Sequence, residues 1–356
     1  MGDGTLLIRA DATVAMGTGH VMRCHALAQA WQDGGGRAVF AMAETTPAVE
    51  TRLRSEGFEI VPVRSSADAG GDATQLALLA RERSAEWVVV DGYQFDAAYQ
   101  RELKTAGIQV LLVDDNGRAA PYSADLVLNQ NLHATEQMYE RREPHTRLLL
   151  GTRFCLLRRE FTSWKGWNRA LPPIGRKVLI TMGGSDPDRF TEVVMQSLRL
   201  VKIEELEATV VVGGSNPHWA SLERVVSEFS GTLQLFRDTS DMAELIAHAD
   251  AAVSAAGTTC WEMCLLGLPA LLISVAENQR ALAQELNDRG CAIHLGKPQD
   301  LSAEQVASQL ERLLNSSEIR YSLSQRARQL VDGTGAQRVT SIMQKRNPVS
   351  EQFEHL

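Results

Sequence analysis

Apolar runs rich in β-branched residues alternate with helical patterns along the whole chain, and no other feature limits its possible folds so tightly. In the first half the runs are Leu6-Leu7-Ile8, Ala38-Val39-Phe40-Ala41, Glu59-Ile60-Val61, Trp87-Val88-Val89-Val90, Val110-Leu111-Leu112-Val113 and Leu148-Leu149-Leu150. In the second they are Lys177-Val178-Leu179-Ile180-Thr181-Met182, Thr209-Val210-Val211-Val212, Asp250-Ala251-Ala252-Val253-Ser254 and Leu271-Leu272-Ile273-Ser274. Strands separated by helices pair in parallel and need helices over both faces of the sheet. The alternation lapses once, over the basic and aromatic stretch Arg158–Arg176 with its Pro172-Pro173 pair. At 356 residues the chain exceeds one ordinary core. The expected fold class is therefore α/β, with parallel-sheet domains over 1–157 and 177–334, a linker over 158–176, and a helix and tail over 335–356.

Composition narrows the partners. Apolar residues make up 44% and charged residues 22%, as in a soluble globular protein. A net charge of −8 argues against a nucleic acid or an anionic membrane as partner. No segment approaches the ~20 apolar residues of a membrane span, and no basic-then-apolar leader opens the chain. The five cysteines contain no C-x-x-C pair, which predicts reduced thiols in a cytoplasm. A small molecule is the partner that remains.

Chemistry concentrates at the turns. Ala15-Met16-Gly17-Thr18-Gly19-His20-Val21-Met22-Arg23 follows the first strand and opens a helix in which Val21, Cys24, Ala28 and Trp31 recur at helical spacing. Glycines let a ligand come close, a helix start offers N–H groups to an anion, and a histidine there can exchange a proton near neutral pH. Met22 stands where a dinucleotide fingerprint has its third glycine, and the turns at Gly183-Gly184-Ser185 and Gly213-Gly214-Ser215 lack a P-loop lysine. Each turn alone reads as ordinary βα chemistry. Three of them at strand ends in one chain point together to a diphosphate held by helix starts and small side chains, and the strand Asp250–Ser254 delivers a further turn, Ala255-Ala256-Gly257-Thr258-Thr259. The strand ends Asp91-Gly92-Tyr93 and Asp114-Asp115 are expected to face the same crevice.

Glu262 and the pair Asn278-Gln279 keep double readings. Thr259-Cys260-Trp261-Glu262 matches a capping box, in which Glu262 only ties down a helix start, and the spacing by itself favours that reading. Alternatively, a carboxylate one turn into a helix accepts the hydroxyls of a ribose. Asn278-Gln279 is either a polar helix start or a reader of sugar hydroxyls and phosphate oxygens. His20 and His25 point to different faces of one helix, and Asp114 and Asp115 diverge, so no metal and no cofactor are expected.

Arg9-Ala10-Asp11, Gly17-x-Gly19-His20-x-x-Arg23, Met182-Gly183-Gly184-Ser185-Asp186, Ala256-Gly257-Thr258-Thr259-x-x-Glu262 and Asn278-Gln279 together resemble the UDP-sugar hydrolases of pseudaminic acid biosynthesis. Those enzymes remove UDP from UDP-2,4-diacetamido-2,4,6-trideoxy-β-L-altrose, and the family is similar to the GT-B glycosyltransferases. The resemblance implies two Rossmann-like domains facing across a cleft, with the last helix crossing back onto the first domain. His20 would be the catalytic histidine, Glu262 would bind the nucleotide, and Gly183, Gly184 and Ser185 would meet the diphosphate. Asn278 and Gln279 would lie near sugar and phosphate. Further substrate contacts are expected from Asp11, Gly17, Gly19, Arg23, Asp91, Tyr93, Gly257, Thr258 and Thr259. The implied reaction is an inverting hydrolysis without metal, His20 drawing a proton from the attacking water. A GT-B glycosyltransferase with the same donor site is the alternative, and a non-catalytic nucleotide-sugar binder is a third reading.

Overall fold

A computed structural model describes residues 4–13, 16–64, 69–184, 186, 188–214, 216–229 and 231–345. The first domain runs β1 (Thr5–Ala10), α1 (Gly19–Asp33), β2 (Arg37–Met42), α2 (Pro47–Ser55), β3 (Glu59–Pro62), α3 (Ala69–Glu82), β4 (Ala85–Asp91), α4 (Ala97–Thr105), β5 (Gln109–Val113), β6 (Leu126–Asn129) and β7 (Arg147–Leu150). The second runs β8 (Lys177–Thr181), α5 (Phe190–Ser197), β9 (Glu207–Val212), α6 (Trp219–Ser227), β10 (Thr232–Arg237), α7 (Met242–His248), β11 (Ala251–Ala255), α8 (Thr259–Leu266), β12 (Ala270–Ile273), α9 (Arg280–Asp288), β13 (Ile293–Gly296), α10 (Ala303–Asn315) and α11 (Ser317–Arg328). A final helix, α12, spans Gly335–Gln344.

Each domain holds one parallel sheet, ordered β3-β2-β1-β4-β5-β6-β7 and β10-β9-β8-β11-β12-β13. The fold is α/β of the GT-B kind, two Rossmann-like domains across a cleft. In both sheets the order reverses beside the first strand, between β1 and β4 and between β8 and β11. Ligands of such sheets sit at that switch, beyond the carboxyl ends of the strands. Three strands were not legible as apolar runs. β6 and β13 have four residues each, and β10 is an edge strand with four of its six residues exposed.

The chain passes between the domains twice, and the two passages touch. Phe154 and Leu156 face the core of the first domain, while Cys155 and Leu157 face that of the second. Alternation along an extended segment thus divides one stretch between two cores. Further on, Arg169 donates to the carbonyls of Ile246 (2.7 Å) and Ala247 (3.1 Å), satisfying the end of α7. Arg320 of α11 does the same for Leu313 at the end of α10 and also reaches Pro173. These two arginines clamp the segment before β8 to the second domain.

After α11 the chain returns, and α12 lays Ala336, Val339 and Met343 into the core of the first domain. Trp87 of β4 donates its indole N–H to Met343 O at 3.1 Å. Gly335 opens α12 against the backbone of the outward passage: a Cβ there would lie 2.6 Å from both Cys155 N and the Phe154 carbonyl carbon. Gly335→Ala is therefore expected to destabilise the protein by about 1–3 kcal/mol, the scale of overpacking against atoms that cannot yield. Thermal melting checks this, and an unchanged Tm would show that the two passages can separate.

Candidate active site

The carboxyl ends of both sheets open on one cleft of about 930 Å³, lined from both domains. His20 is the second residue of α1, and its ring lies against the end of β4. Because β4 pairs with β1, Asp91 at the end of β4 stands beside the turn that launches α1. Its Oδ1 is 2.6 Å from His20 Nδ1. With a carboxylate accepting at Nδ1, the neutral ring carries its proton there and keeps the Nε2 lone pair.

Arg23, one turn along α1, holds this pair in place. It donates Nε to Asp91 Oδ2 at 2.6 Å and Nη2 to Oδ1 at 2.7 Å. Nη1 reaches both oxygens of Asp115, at 2.9 and 2.8 Å, and Asn131 donates to the same carboxylate at 2.7 Å. Burial alone would raise the Asp91 carboxyl, but Arg23 and His20 outweigh it and hold it well below the usual carboxylate range. Asp91 is thus a fixed negative charge behind the histidine. On the ring's other side Tyr93 stands edge-on, with centroids 5.1 Å apart. Tyr93 is 56% exposed, and its hydroxyl accepts from Asn278 Nδ2 at 2.9 Å. That bond spans the cleft.

The second domain brings its glycine turns to the opposite wall. Gly183 has φ +88°, a conformation open to glycine, and a Cβ at Gly184 would meet Thr18 Oγ1 at 2.7 Å. The first domain's turn therefore lies directly on the second domain's. The helix starts differ in what they offer. Asp186 turns its carboxylate onto the first N–H groups of α5, accepting from Phe190 N (2.9 Å) and Thr191 N (2.8 Å), so that end already holds an anion. No side chain caps α8 at Thr258, nor α1 at Thr18.

The capping box at Thr259 does not form: α8 begins at Thr259, so this residue lies inside the helix rather than at its cap. The Glu262 carboxylate instead accepts from Arg158, Nε at 3.2 Å and Nη2 at 2.8 Å, to its Oε1. Gln279 turns its Oε1 back to Val275 N at 3.1 Å.

Gly17, Gly19, His20, Arg23, Asp91, Tyr93, Gly183, Gly184, Gly257, Thr258, Thr259, Glu262, Asn278 and Gln279 all line the cleft. Ser185 lies outside the described residues. Asp11 departs from expectation, being absent from the cleft wall because its carboxylate is used up inside the domain. Oδ1 accepts from Arg9 Nη1 (2.6 Å), Ala43 N (2.8 Å) and Glu44 N (3.1 Å), which ties the end of β1 to the end of β2. Asp91 and Arg23 are also occupied by partners within the protein. Sequence reading set Asp115 at the crevice without giving it a role, and passed over Asn131 and Arg158. Asp115 is signalled by its place after β5, whereas Arg158 sits in a stretch that reads as linker.

Glycosyltransferase family 28 C-terminal domain matches residues 178–344. The chain is 31% identical over 236 residues to the spore coat polysaccharide biosynthesis protein SpsG of Bacillus subtilis, covering 66% of this chain and 68% of that protein. It is 23% identical over 287 residues to the UDP-2,4-diacetamido-2,4,6-trideoxy-β-L-altropyranose hydrolase of Campylobacter jejuni, covering 80% and 97%. In fold it is similar to Acinetobacter baumannii MurG, with a TM-score of 0.65, 17% identity, and coverage of 96% of this chain and 99% of that one. No helix among the described residues is long and apolar enough to cross a membrane.

Proposed function

The chain belongs to the family of SpsG and the UDP-diacetamido-trideoxy-altropyranose hydrolase, and from that premise we propose that it is a metal-independent hydrolase releasing UDP from a UDP-diacetamido-trideoxyhexose. It is an enzyme of the GT-B kind, related to nucleotide-sugar chemistry. The observation that carries the hydrolase reading is the His20–Asp91 pair at 2.6 Å on the cleft wall. A histidine whose Nδ1 is bound by a buried carboxylate has Nε2 free to take a proton, and the carboxylate steadies the imidazolium that forms.

In this reading His20 is the catalytic base and Asp91 and Arg23 are positioning residues. The diphosphate lies at the uncapped start of α8, met by the backbone of Gly257, Thr258 and Thr259 and by the Gly183-Gly184 turn. Glu262 accepts the ribose hydroxyls, and Tyr93, Asn278 and Gln279 face the sugar and the phosphate next to it. Water attacks the anomeric carbon on the face away from the diphosphate and gives its proton to His20. The bond from that carbon to the diphosphate oxygen breaks, UDP leaves with the electron pair, and the configuration inverts. Its place would be the cytoplasm, a reading supported by five cysteines that are all free and buried.

The family 28 match favours a second reading, a transferase using the same donor site. Incubation with a panel of UDP-diacetamido sugars and no acceptor, followed by NMR, separates them. Release of free sugar and UDP in equal amounts at about one turnover per second or faster, within the usual range of enzyme turnover, is the expected result. UDP release that starts only on addition of an acceptor hydroxyl would make the protein a transferase.

A further inference from the structure

On the face of α1 away from His20, a chain of ion pairs runs towards the second domain. His25 Nε2 and Gln29 Nε2 meet Glu56 Oε2, at 2.9 and 2.6 Å. Arg52 of α2 donates Nε to Glu56 Oε1 at 2.8 Å and Nη2 to Glu160 Oε2 at 3.2 Å, and Nη1 reaches Thr239 O of the second domain at 3.4 Å. Arg158 then stands between two carboxylates, its Nη2 being 3.3 Å from Glu160 Oε1 and 2.8 Å from Glu262 Oε1. The guanidinium lies over the Phe161 ring, 5.5 Å from its centroid, which leaves it little freedom.

Charges in this chain do not balance. Two guanidinium groups, Arg52 and Arg158, face three carboxylates, Glu56, Glu160 and Glu262, and burial lowers His25 towards its neutral form. One negative charge is in excess. Glu160 is placed worst to carry it, because its Oε1 is buried with no hydrogen bond. Burial, with Glu262 adding to it and against the pull of Arg158 and Arg52, pushes the Glu160 carboxyl up to about 7. The groups facing Glu160 are thus Arg52 from α2, Arg158 on its own segment and Glu262 on α8, with Glu56 and His25 beyond Arg52.

We propose that Arg158 is a positioning residue for the nucleotide, fixing the Glu262 carboxylate for the ribose, and that Glu160 competes for the same guanidinium and so sets how firmly Glu262 is held. This rests on the reading that Glu262 binds the ribose. With Glu160 protonated, Arg158 serves Glu262 alone. With Glu160 ionised, the guanidinium is divided and an extra negative charge stands near a site that takes an anion. An anionic nucleotide therefore favours the protonated form and binds with proton uptake, so affinity falls as pH rises through about 7.

Calorimetric titration with UDP at pH 6 and pH 8 tests this. Glu262→Gln and Arg158→Gln should each raise the Kd on the order of tenfold, the scale carried by partners that orient a ligating group. The double variant should bind no more weakly than Glu262→Gln alone, since both remove one unit. Arg158→Lys, which keeps the charge but loses the fork, should recover part of the loss. The loss of affinity between pH 6 and pH 8 should be smaller in Glu160→Gln than in the parent, UDP's own titration being common to both. A weakened Glu262→Gln with unchanged, folded Arg158 variants, an additive double variant, or equal pH profiles would overturn the proposal alone. An unchanged Glu262→Gln would overturn the ribose reading and this one with it. Should Arg158→Gln fail to fold, Arg158→Lys and Glu160→Gln still decide.

Discussion

Asp91→Asn should lower kcat by about 10³- to 10⁴-fold while the Kd of UDP stays within about twofold, because the amide fixes the wrong histidine tautomer. An asparagine can present its NH₂ to His20 Nδ1, which leaves the ring proton on Nε2 and no lone pair for water. The fold should tolerate the change, since Arg23 keeps both oxygens of Asp115 and one amide oxygen in place of the lost carboxylate. His20→Asn should cost at least as much, ~10³- to 10⁴-fold and so in the upper range for a positioned base, since Asp91 acts only through the base it orients. The double variant should be scarcely worse than the poorer single one, since base and orienter act as a unit. Steady-state kinetics with calorimetry checks all three. Parallel loss of UDP affinity and turnover in Asp91→Asn would make the carboxylate a binding group and remove the basis for His20 as base.

The second large effect concerns which bond breaks. Water drawn towards carbon by His20 leaves its oxygen on the sugar, whereas attack at phosphorus would leave it on the nucleotide. In ¹⁸O-enriched water, mass spectrometry of the released UDP should find no label, with all of it on the anomeric hydroxyl of the sugar. NMR in the first moments should show the inverted anomer, before mutarotation mixes the two. EDTA should leave the rate unchanged, since attack at carbon needs no metal to gather charge on phosphorus. Label in the UDP phosphate would transfer the histidine to phosphate chemistry.

What the sequence discloses and what it withholds divide along a physical line. Short-range patterns carry the fold. Continuous apolar runs, glycine turns and helical spacing give the parallel sheets, the start of α1 and the breaks between units, because these depend on neighbours within a few residues. β10 escapes because an edge strand with one wet face lacks a continuous apolar run. At the site, His20, the glycine turns and Glu262 reach one cleft through βα geometry that a sequence reader can anticipate. Their partners depend on strand order instead. Asp91 meets His20 across 71 residues because β4 lies beside β1, and Arg158 meets Glu262 across 104. The capping-box spacing at Thr259 misleads for a related reason: a partly buried arginine from far along the chain outcompetes a local backbone N–H for the carboxylate.

The paired passages between the domains have a mechanical consequence. Two bodies joined by one flexible tether can turn, twist and slide, but here the tether is doubled, and Gly335 lies on the backbone of Cys155 with no side chain between them. The residues at that spot are also shared between the cores, Phe154 and Leu156 anchored in one and Cys155 and Leu157 in the other. Twist or slide would have to pull one of these anchors from its core, at the cost of exposing apolar surface. Swinging about the contact requires only small changes of backbone dihedral angle. Relative motion is thereby cut from six degrees of freedom towards one. Were the cleft to open along this single arc it would close along it too, bringing Thr18 back to Gly184 and Tyr93 back to Asn278 in the same register.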